Sequence, residues 1–290
     1  MPHQVLVIDG TSELKYSNNH LILKDYNDEE YEIFIEDLSL VLIYNNRLTI
    51  TTYLLGQLAI NNIGVVFFNE KYTPIYQLIP FYGSFNVSGN LLKQINWNEN
   101  FKKYLWTYVV ANKISNQQIL LNKLYLDSSS SLVSYLNRLT IDDKYNVEAT
   151  TAKIYFHRLF SNTFNRRNGD SINSLLNYTY SIILACINKN IVKYGYNTLL
   201  GINHCSSTNN FNLSYDIIEP FRPIADELVY KYKDENLTKE IKNKLINILY
   251  VNCKYNNKIY SMYLAIEIYI EDLFKSLNYS KVLISNIILL

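Results

Sequence analysis

The chain has 290 residues, 48% of them hydrophobic, and a formal net charge of +1. That length holds one large domain or two ordinary ones, at roughly 100–200 residues per domain, and the apolar share is enough for a proper core. So balanced a charge excludes a global basic field, and any case for nucleic-acid binding has to rest on local clustering.

The 27 tyrosines, with much Asn, Ile and Lys, read as a compositional bias of the source genome more than as base-stacking potential. Cys186, Cys205 and Cys253 have no paired spacing, which argues against a disulfide framework and fits a reducing compartment. MPHQVLVIDG lacks a cationic segment followed by an apolar core. The most apolar late run, YSMYLAIEIYIEDLF, is broken by glutamates before it reaches spanning length. The expectation is a soluble, cytoplasmic protein with no membrane partner.

In chain order, HQVLVID, HLILK, YEIFI, LSLVLIY and IGVVFF read as short strands separated by polar turns such as YSNN and DYNDEE. TITTYLLGQLAINN carries helical spacing at Leu54 and Leu58. GSFNVSG, from Gly83 to Gly89, is small and polar and is the candidate linker. Beyond Leu91 the pattern turns helical. FKKYLWTYVVANKISNQQILL places apolar residues on one stripe, with Asn112 and Asn116 in its gaps. A buried amide there must be hydrogen-bonded or it costs on the order of 1–3 kcal/mol, so a satisfied amide network is expected. Further helices are predicted over 146–164, 171–194, 220–232, 237–252 and 258–277. The whole is an α+β protein: a small β-sandwich-like domain over 1–85, then a larger all-α domain over 86–290.

Three residues stand at the edges of these elements. Glu148 opens a helix, with Asn146 as its cap; His204 lies in the polar loop GINHCSSTNN; Glu219 directly precedes a helix that starts with Pro220 and Pro223. Two carboxylates and an imidazole can make an oxygen- and nitrogen-rich metal site. The same residues can also be ordinary ones, acids favoured by the helix dipole and a hydrogen-bonded loop histidine. Five of the six arginines, Arg138, Arg158, Arg166, Arg167 and Arg222, fall in or beside this region, where guanidinium groups can hold phosphate.

From Tyr104 to Asp226 the chain resembles the CRISPR-associated integrase family, the catalytic subunit of the complex that inserts new spacers. LWTYVVANKISNQQILL resembles its helical signature through Lys113, Asn116 and Gln117. Glu148 and the helix after it match the position of the family's first metal ligand. FNRRNGDSINSLLNYTYSIILACI resembles its Arg, Asp-x-x-Asn, Leu-Asn-Tyr-x-Tyr pattern through Arg166, Arg167, Asp170, Asn173 and Tyr180, with Thr179 where Gly is usual. LGINHCSSTNNFNLSYDIIEPFRPIAD resembles the block that carries the other two ligands, His204 and Glu219, with Arg222 beside them; its form is most like the type II variety.

The resemblance implies an enzyme, a metal-dependent DNA endonuclease and integrase. A fragment's 3′-hydroxyl attacks a repeat phosphodiester, with Mg²⁺ or Mn²⁺ held by Glu148, His204 and Glu219. It implies Arg222 at the scissile phosphate and DNA contacts from Lys153, Arg166, Arg167 and Tyr180. The implied partners are double-stranded DNA (fragment and CRISPR repeat), a second copy of the chain through the β-rich domain, and a small ferredoxin-like protein bridging two dimers. The alternatives are a structure-specific nuclease that hydrolyses branched DNA and a non-catalytic DNA-end-binding scaffold.

Overall fold

A computed structural model describes residues 4–290 of the chain apart from 46, 71, 73, 79–85 and 128. The chain divides into two compact units, Met1–Phe85 and Asn86–Leu290.

In the first unit the strands are β1 (Gln4–Ile8), β2 (Thr11–Ser17), β3 (His20–Asp25), β4 (Glu30–Phe34), β5 (Leu38–Ile43) and β6 (Thr49–Ile50). Helix α1 (Thr52–Ile60), β7 (Gly64–Phe68) and β8 (Pro74–Leu78) follow. They form two four-stranded sheets, ordered β1-β5-β7-β8 and β4-β3-β2-β6. This is no simple meander. β1 pairs parallel with β5, β5 parallel with β7, and β2 parallel with β6. Parallel neighbours need a crossover, and α1 supplies the one between β5 and β7. The β2–β3 hairpin turns at Asn18 and Asn19, with φ of 46° and 62°. Asparagine tolerates the positive φ that a two-residue hairpin turn demands. β5, LSLVLI, is buried at all six positions, as a strand between two parallel neighbours should be. One apolar cluster joins Ile8, Leu14, Leu21, Val41, Leu54 and Val65 from both sheets and α1.

The second unit contains α2 (Val87–Ile95), α3 (Glu99–Lys123), α4 (Val133–Leu136), α5 (Val147–Leu159), α6 (Ser171–Lys193), α7 (Asn212–Ile218), α8 (Arg222–Tyr230) and α9 (Lys239–Leu245). β9 (Asn252–Tyr255), β10 (Lys258–Ser261), α10 (Met262–Tyr279) and β11 (Ile288–Leu289) complete it. It is not all α. β10, β9 and β11 make a three-stranded antiparallel sheet, so the helix expected from Lys258 begins only at Met262. Asn256 and Asn257 turn the β9–β10 hairpin with φ of 48° and 61°.

Other boundaries differ too. Val87–Gly89 of the expected linker are the first turn of α2, and residues 83–85 lie outside the described residues. The helix from 146 stops at Leu159, and the stretch 237–252 is α9, a 3-10 turn Ile246–Tyr250 and the start of β9.

α3 is the organising helix: α5, α7, α8 and β11 all pack on it. Two of its buried amides, Asn112 and Asn116, bond to the returning C-terminal segment. Asn112 donates to the Ile287 carbonyl at 2.8 Å and accepts from the Ile287 N–H at 2.9 Å. Asn116 donates to the carbonyls of Pro220 (2.9 Å) and Ile287 (2.8 Å), and accepts from the Leu289 N–H at 3.2 Å. The Pro220 bond ties α3 to the turn that carries Glu219.

Candidate active site

α5 begins at Val147, so Glu148 lies in its first turn. The cap is Asp143, not Asn146. One Asp143 carboxylate oxygen accepts from the Val147 N–H at 2.8 Å, the other from the Glu148 N–H at 2.9 Å. Asn146 has a left-handed backbone, φ 50°, and its side chain makes no capping bond. A carboxylate that binds the backbone of Glu148 itself fixes where that side chain starts.

Glu219 is not at the free N-terminal edge of a helix. It lies inside one helical run, where α7 passes through the 3-10 turn Glu219–Phe221 into α8. Pro220 and Pro223 have no N–H to give, and they mark the irregular junction rather than a start. Glu219 is buried. Its Oε1 accepts from Arg222 Nε at 2.8 Å, one turn on. Its Oε2 lies 2.5 Å from Lys113 Nζ in a buried ion pair. Lys113, from the middle of α3, also donates to Glu148 Oε1 at 2.7 Å. One ammonium thus joins the two carboxylates, which come from elements 71 residues apart in sequence.

Burial by itself would push the Glu219 carboxyl up. The charges of Arg222 and Lys113 reverse this and hold it well below the usual carboxylate range. Likewise, burial would lower the Lys113 ammonium, and Glu219 and Glu148 together carry it above its ordinary value.

His204 sits between α6 and α7 and depends on a buried acid that no motif in the sequence marks. Asp216, on α7 and fully buried, takes four donors. Its Oδ2 accepts from the N–H groups of Ile202 (2.6 Å) and Asn203 (3.0 Å). Its Oδ1 accepts from the His204 N–H (3.1 Å) and binds His204 Nδ1 at 2.6 Å. A carboxylate on Nδ1 sets the tautomer and leaves the Nε2 lone pair for a ligand or a proton. The Asp216 bond raises the imidazole pKa against partial burial, and the charges of Asp216, Glu219 and Glu148 add to the rise. Trp106, two turns before Lys113 on α3, sets its ring edge-on to His204 at 5.8 Å. Gly201 has to be glycine: a Cβ there would meet the His204 carbonyl at 2.3 Å and Asp216 Oδ2 at 2.7 Å.

Arg222 also lies over the Tyr180 ring, its guanidinium carbon 4.6 Å from the centroid. Tyr180 is buried, and its hydroxyl donates to Asp226 Oδ1; Tyr155 donates to Asp226 Oδ2 at 2.8 Å. Beside the N-terminus of α5 a cavity of about 500 Å³ is lined by Tyr135, Asn137, Arg138, Thr140, Tyr145, Val147 and Thr150.

The donor set, two carboxylates and an imidazole with a free nitrogen, suits a small divalent cation. Glu219 Oε2 is met by the Lys113 ammonium and by no further hydrogen-bond donor, so a cation bound there would have to displace that one group. Among the described residues, however, no three His, Cys, Asp or Glu side chains are spaced to hold a metal ion as they stand.

Comparison with known proteins decides the family. The family model for CRISPR associated protein Cas1 matches residues 5–261. The chain is 31% identical over 274 residues to the CRISPR-associated endonuclease Cas1 of Neisseria meningitidis serogroup C, covering 92% of this chain and 90% of that one.

The chain belongs to the Cas1 family.

As a Cas1-family protein it is a CRISPR-associated endonuclease and spacer integrase. Its fold is that of a casposase bound to integration product, with a TM-score of 0.80 at 21% identity, covering 97% of this chain and 92% of that one. It also matches a chain of a Cas6-RT-Cas1–Cas2 complex, with a TM-score of 0.77 at 19% identity, over 98% of this chain and 36% of that one.

Four further residues of this Cas1-family chain are candidates for DNA contact. Lys153 on α5 and Arg167 after it are exposed. Arg166 is anchored along α6 by the side-chain oxygens of Asn173 and Asn177, the latter at 2.9 Å. Tyr180 faces Asp226 and carries both Arg222 and Arg166, the latter 5.5 Å from its centroid. Thr179, where the Cas1 pattern has Gly, is fully buried and donates its hydroxyl to the Leu175 carbonyl at 2.9 Å, so the helix absorbs the extra side chain. No helix among the described residues is long and apolar enough to cross a membrane.

Proposed function

We propose that this chain inserts DNA fragments into a CRISPR array by transesterification at Glu148, His204 and Glu219. The convergence of Glu148, Glu219 and Arg222 on one side-chain cluster, with the Asp216-held His204 within electrostatic reach, carries this reading.

Glu148, His204 and Glu219 would hold Mg²⁺ or Mn²⁺, which lowers the pKa of an attacking hydroxyl and neutralises charge on the phosphoryl oxygens. The fragment's 3′-oxygen forms a new bond to phosphorus while the repeat's own P–O3′ bond breaks. The proton of the attacking hydroxyl ends on the departing 3′-oxygen. His204 offers Nε2 because Asp216 occupies Nδ1. Arg222, pinned by Glu219 and lying on Tyr180, presents a fixed positive group to the phosphate. Lys153, Arg166 and Arg167 supply backbone contacts, which position DNA without reading it. With water in place of the 3′-hydroxyl the same site cuts DNA.

On this reading the residues 86–290 carry catalysis and the residues 1–85 carry dimerisation, which would cover strand edges otherwise open to unwanted pairing. The working partners are double-stranded DNA and a small ferredoxin-like protein bridging two dimers; a casposase bound to integration product and a Cas6-RT-Cas1–Cas2 complex, both of similar fold, support this reading. The setting is cytoplasmic, and the variety is the type II one that the IIEPFRP form resembles.

The test incubates the full chain and its small partner with a short 3′-hydroxyl duplex and a supercoiled plasmid bearing a CRISPR repeat, in Mn²⁺ or in EDTA. Covalent joining that needs the metal and is lost in Glu148→Ala is expected. Plasmid cutting without joining would replace the integrase reading with a structure-specific nuclease. Binding with neither reaction would leave a DNA-end scaffold.

A further inference from the structure

Lys113 has no assigned part in the chemistry, yet it is a buried cation held between two carboxylates. It projects from the middle of α3 and is buried. Its Nζ lies 2.7 Å from Glu148 Oε1 and 2.5 Å from Glu219 Oε2. Glu219 Oε1 is already committed to Arg222. Two carboxylates and two fixed cations therefore cancel, and the cluster is close to neutral before any metal enters. A divalent cation bound through the same oxygens would stand about 2.0–2.6 Å from each. An ammonium nitrogen at 2.5 and 2.7 Å fills that space. Both cannot be there together.

We infer that Lys113 is the built-in competitor of the catalytic cation: a positioning residue that holds Glu148 and Glu219 together and yields their oxygens when metal and DNA arrive. This rests on the metal reading above. The lysine stem is flexible, with a compact, strongly hydrated head, so the ammonium can swing off the carboxylates without moving α3. Its replacement partner is an anion, and the phosphate brought by DNA is that anion. Metal and DNA therefore bind cooperatively. Each removes part of the obstacle to the other, because the cation needs Lys113 gone and the phosphate gives Lys113 somewhere to go.

The experiment measures Mn²⁺ affinity by calorimetry on the full chain, with and without a 3′-hydroxyl DNA duplex, in the parent and in Lys113→Met. Without DNA, the variant should bind Mn²⁺ at least about tenfold more tightly than the parent. DNA should then improve the parent's affinity by about tenfold or more and the variant's far less. In EDTA the variant should melt lower than the parent, with two carboxylates left facing each other, and it should gain more from added Mn²⁺. Unchanged or weaker Mn²⁺ affinity in Lys113→Met would overturn the inference and leave Lys113 a structural counter-ion. If the neutral variant does not fold, Lys113→Arg decides. It keeps the charge on a wider head, so its DNA-free Mn²⁺ affinity must not exceed the parent's, and a tighter site overturns the inference. Failure of the parent to bind Mn²⁺ with or without DNA would sink the metal reading itself, and this inference with it.

Discussion

Glu219 and Asp226 stand seven residues apart on one helical run, both buried, and their surroundings push them in opposite directions. Glu219 has Arg222 and Lys113 against it and is held ionised. Asp226 has two tyrosine hydroxyls; burial outweighs those hydrogen bonds and the more distant charges of Arg166 and Arg222, and pushes its carboxyl up to about 6. Equal burial gives different chemistry because the partners differ in charge. Glu219 is built to stay negative and receive a cation. Asp226 holds its proton to higher pH and serves as a brace that fixes the Tyr180 ring, on which Arg222 lies.

The contrast is sharpest at its negative end. Glu148→Ala should abolish metal-dependent joining and leave a folded protein, because Glu148 is partly exposed and Lys113 keeps Glu219 as a partner. Circular dichroism with the joining assay checks both halves, and retained joining would break the assignment. Glu219→Ala should cost folding stability as well as activity. It takes the carboxylate from Arg222 and leaves Lys113 with Glu148 alone, and breaking a buried pair from one side costs about 3–5 kcal/mol. A denaturant midpoint equal to the parent's would mean that Glu219 is solvated, contrary to its burial.

Asp226 provides the opposite test. Its folded pKa is raised, so the folded state prefers the protonated acid. That stability is complete below the unfolded value near 4, and is lost as pH rises towards about 6. The loss is on the order of 3 kcal/mol. Asp226→Asn keeps an acceptor for one tyrosine and cannot ionise. Its stability relative to the parent should therefore rise between pH 4 and 6 and stay level above. Urea unfolding of both proteins at several pH values reads this directly, and a pH-independent difference would show that folding does not raise the Asp226 carboxyl.

Much of the frame was legible in the sequence. The continuous apolar run of β5, the stripe of α3 and the turn asparagines each encode a local preference, and local preference suffices for such elements. β2, TSELKYS, escaped because its polar residues hide the alternation, and pairing with β3 rather than propensity makes it a strand. β10 escaped because Lys258–Ser261 runs straight into α10, so one apolar pattern seemed to cover both. In the site, Glu148, His204 and Glu219 could be picked out from edges, loops and resemblance. Asp216 could not, since it is one acid on a short helix and its four donors lie 12 to 14 residues away. Lys113 was visible only as part of a signature. That it meets two acids is a fact about packing between α3, α5 and the Glu219 turn.

Asp216 is an intermediate case, a buried carboxylate whose partners are backbone N–H groups and one imidazole. Asp216→Asn keeps some of those bonds but presents an amide N–H to a histidine that needs an acceptor. A loss of roughly 10–100-fold in metal affinity or joining is expected, the range typical of groups that orient a metal-binding histidine. Normal Mn²⁺ affinity in this variant would show that His204 does not rely on Asp216.

The smallest effect is at the exposed end of the series, and it separates two readings of one turn. Asp143 bonds the N–H groups of Val147 and Glu148, whereas Asn146 contributes only a left-handed backbone. Asp143→Ala should therefore destabilise by about 1 kcal/mol, the usual cost of losing a helix cap. Asn146→Gly should cost no more than a few tenths, since glycine accepts that φ freely. Thermal melts of the two variants compare them directly. The reverse order would return the cap to Asn146 and remove the link between Asp143 and the placement of Glu148.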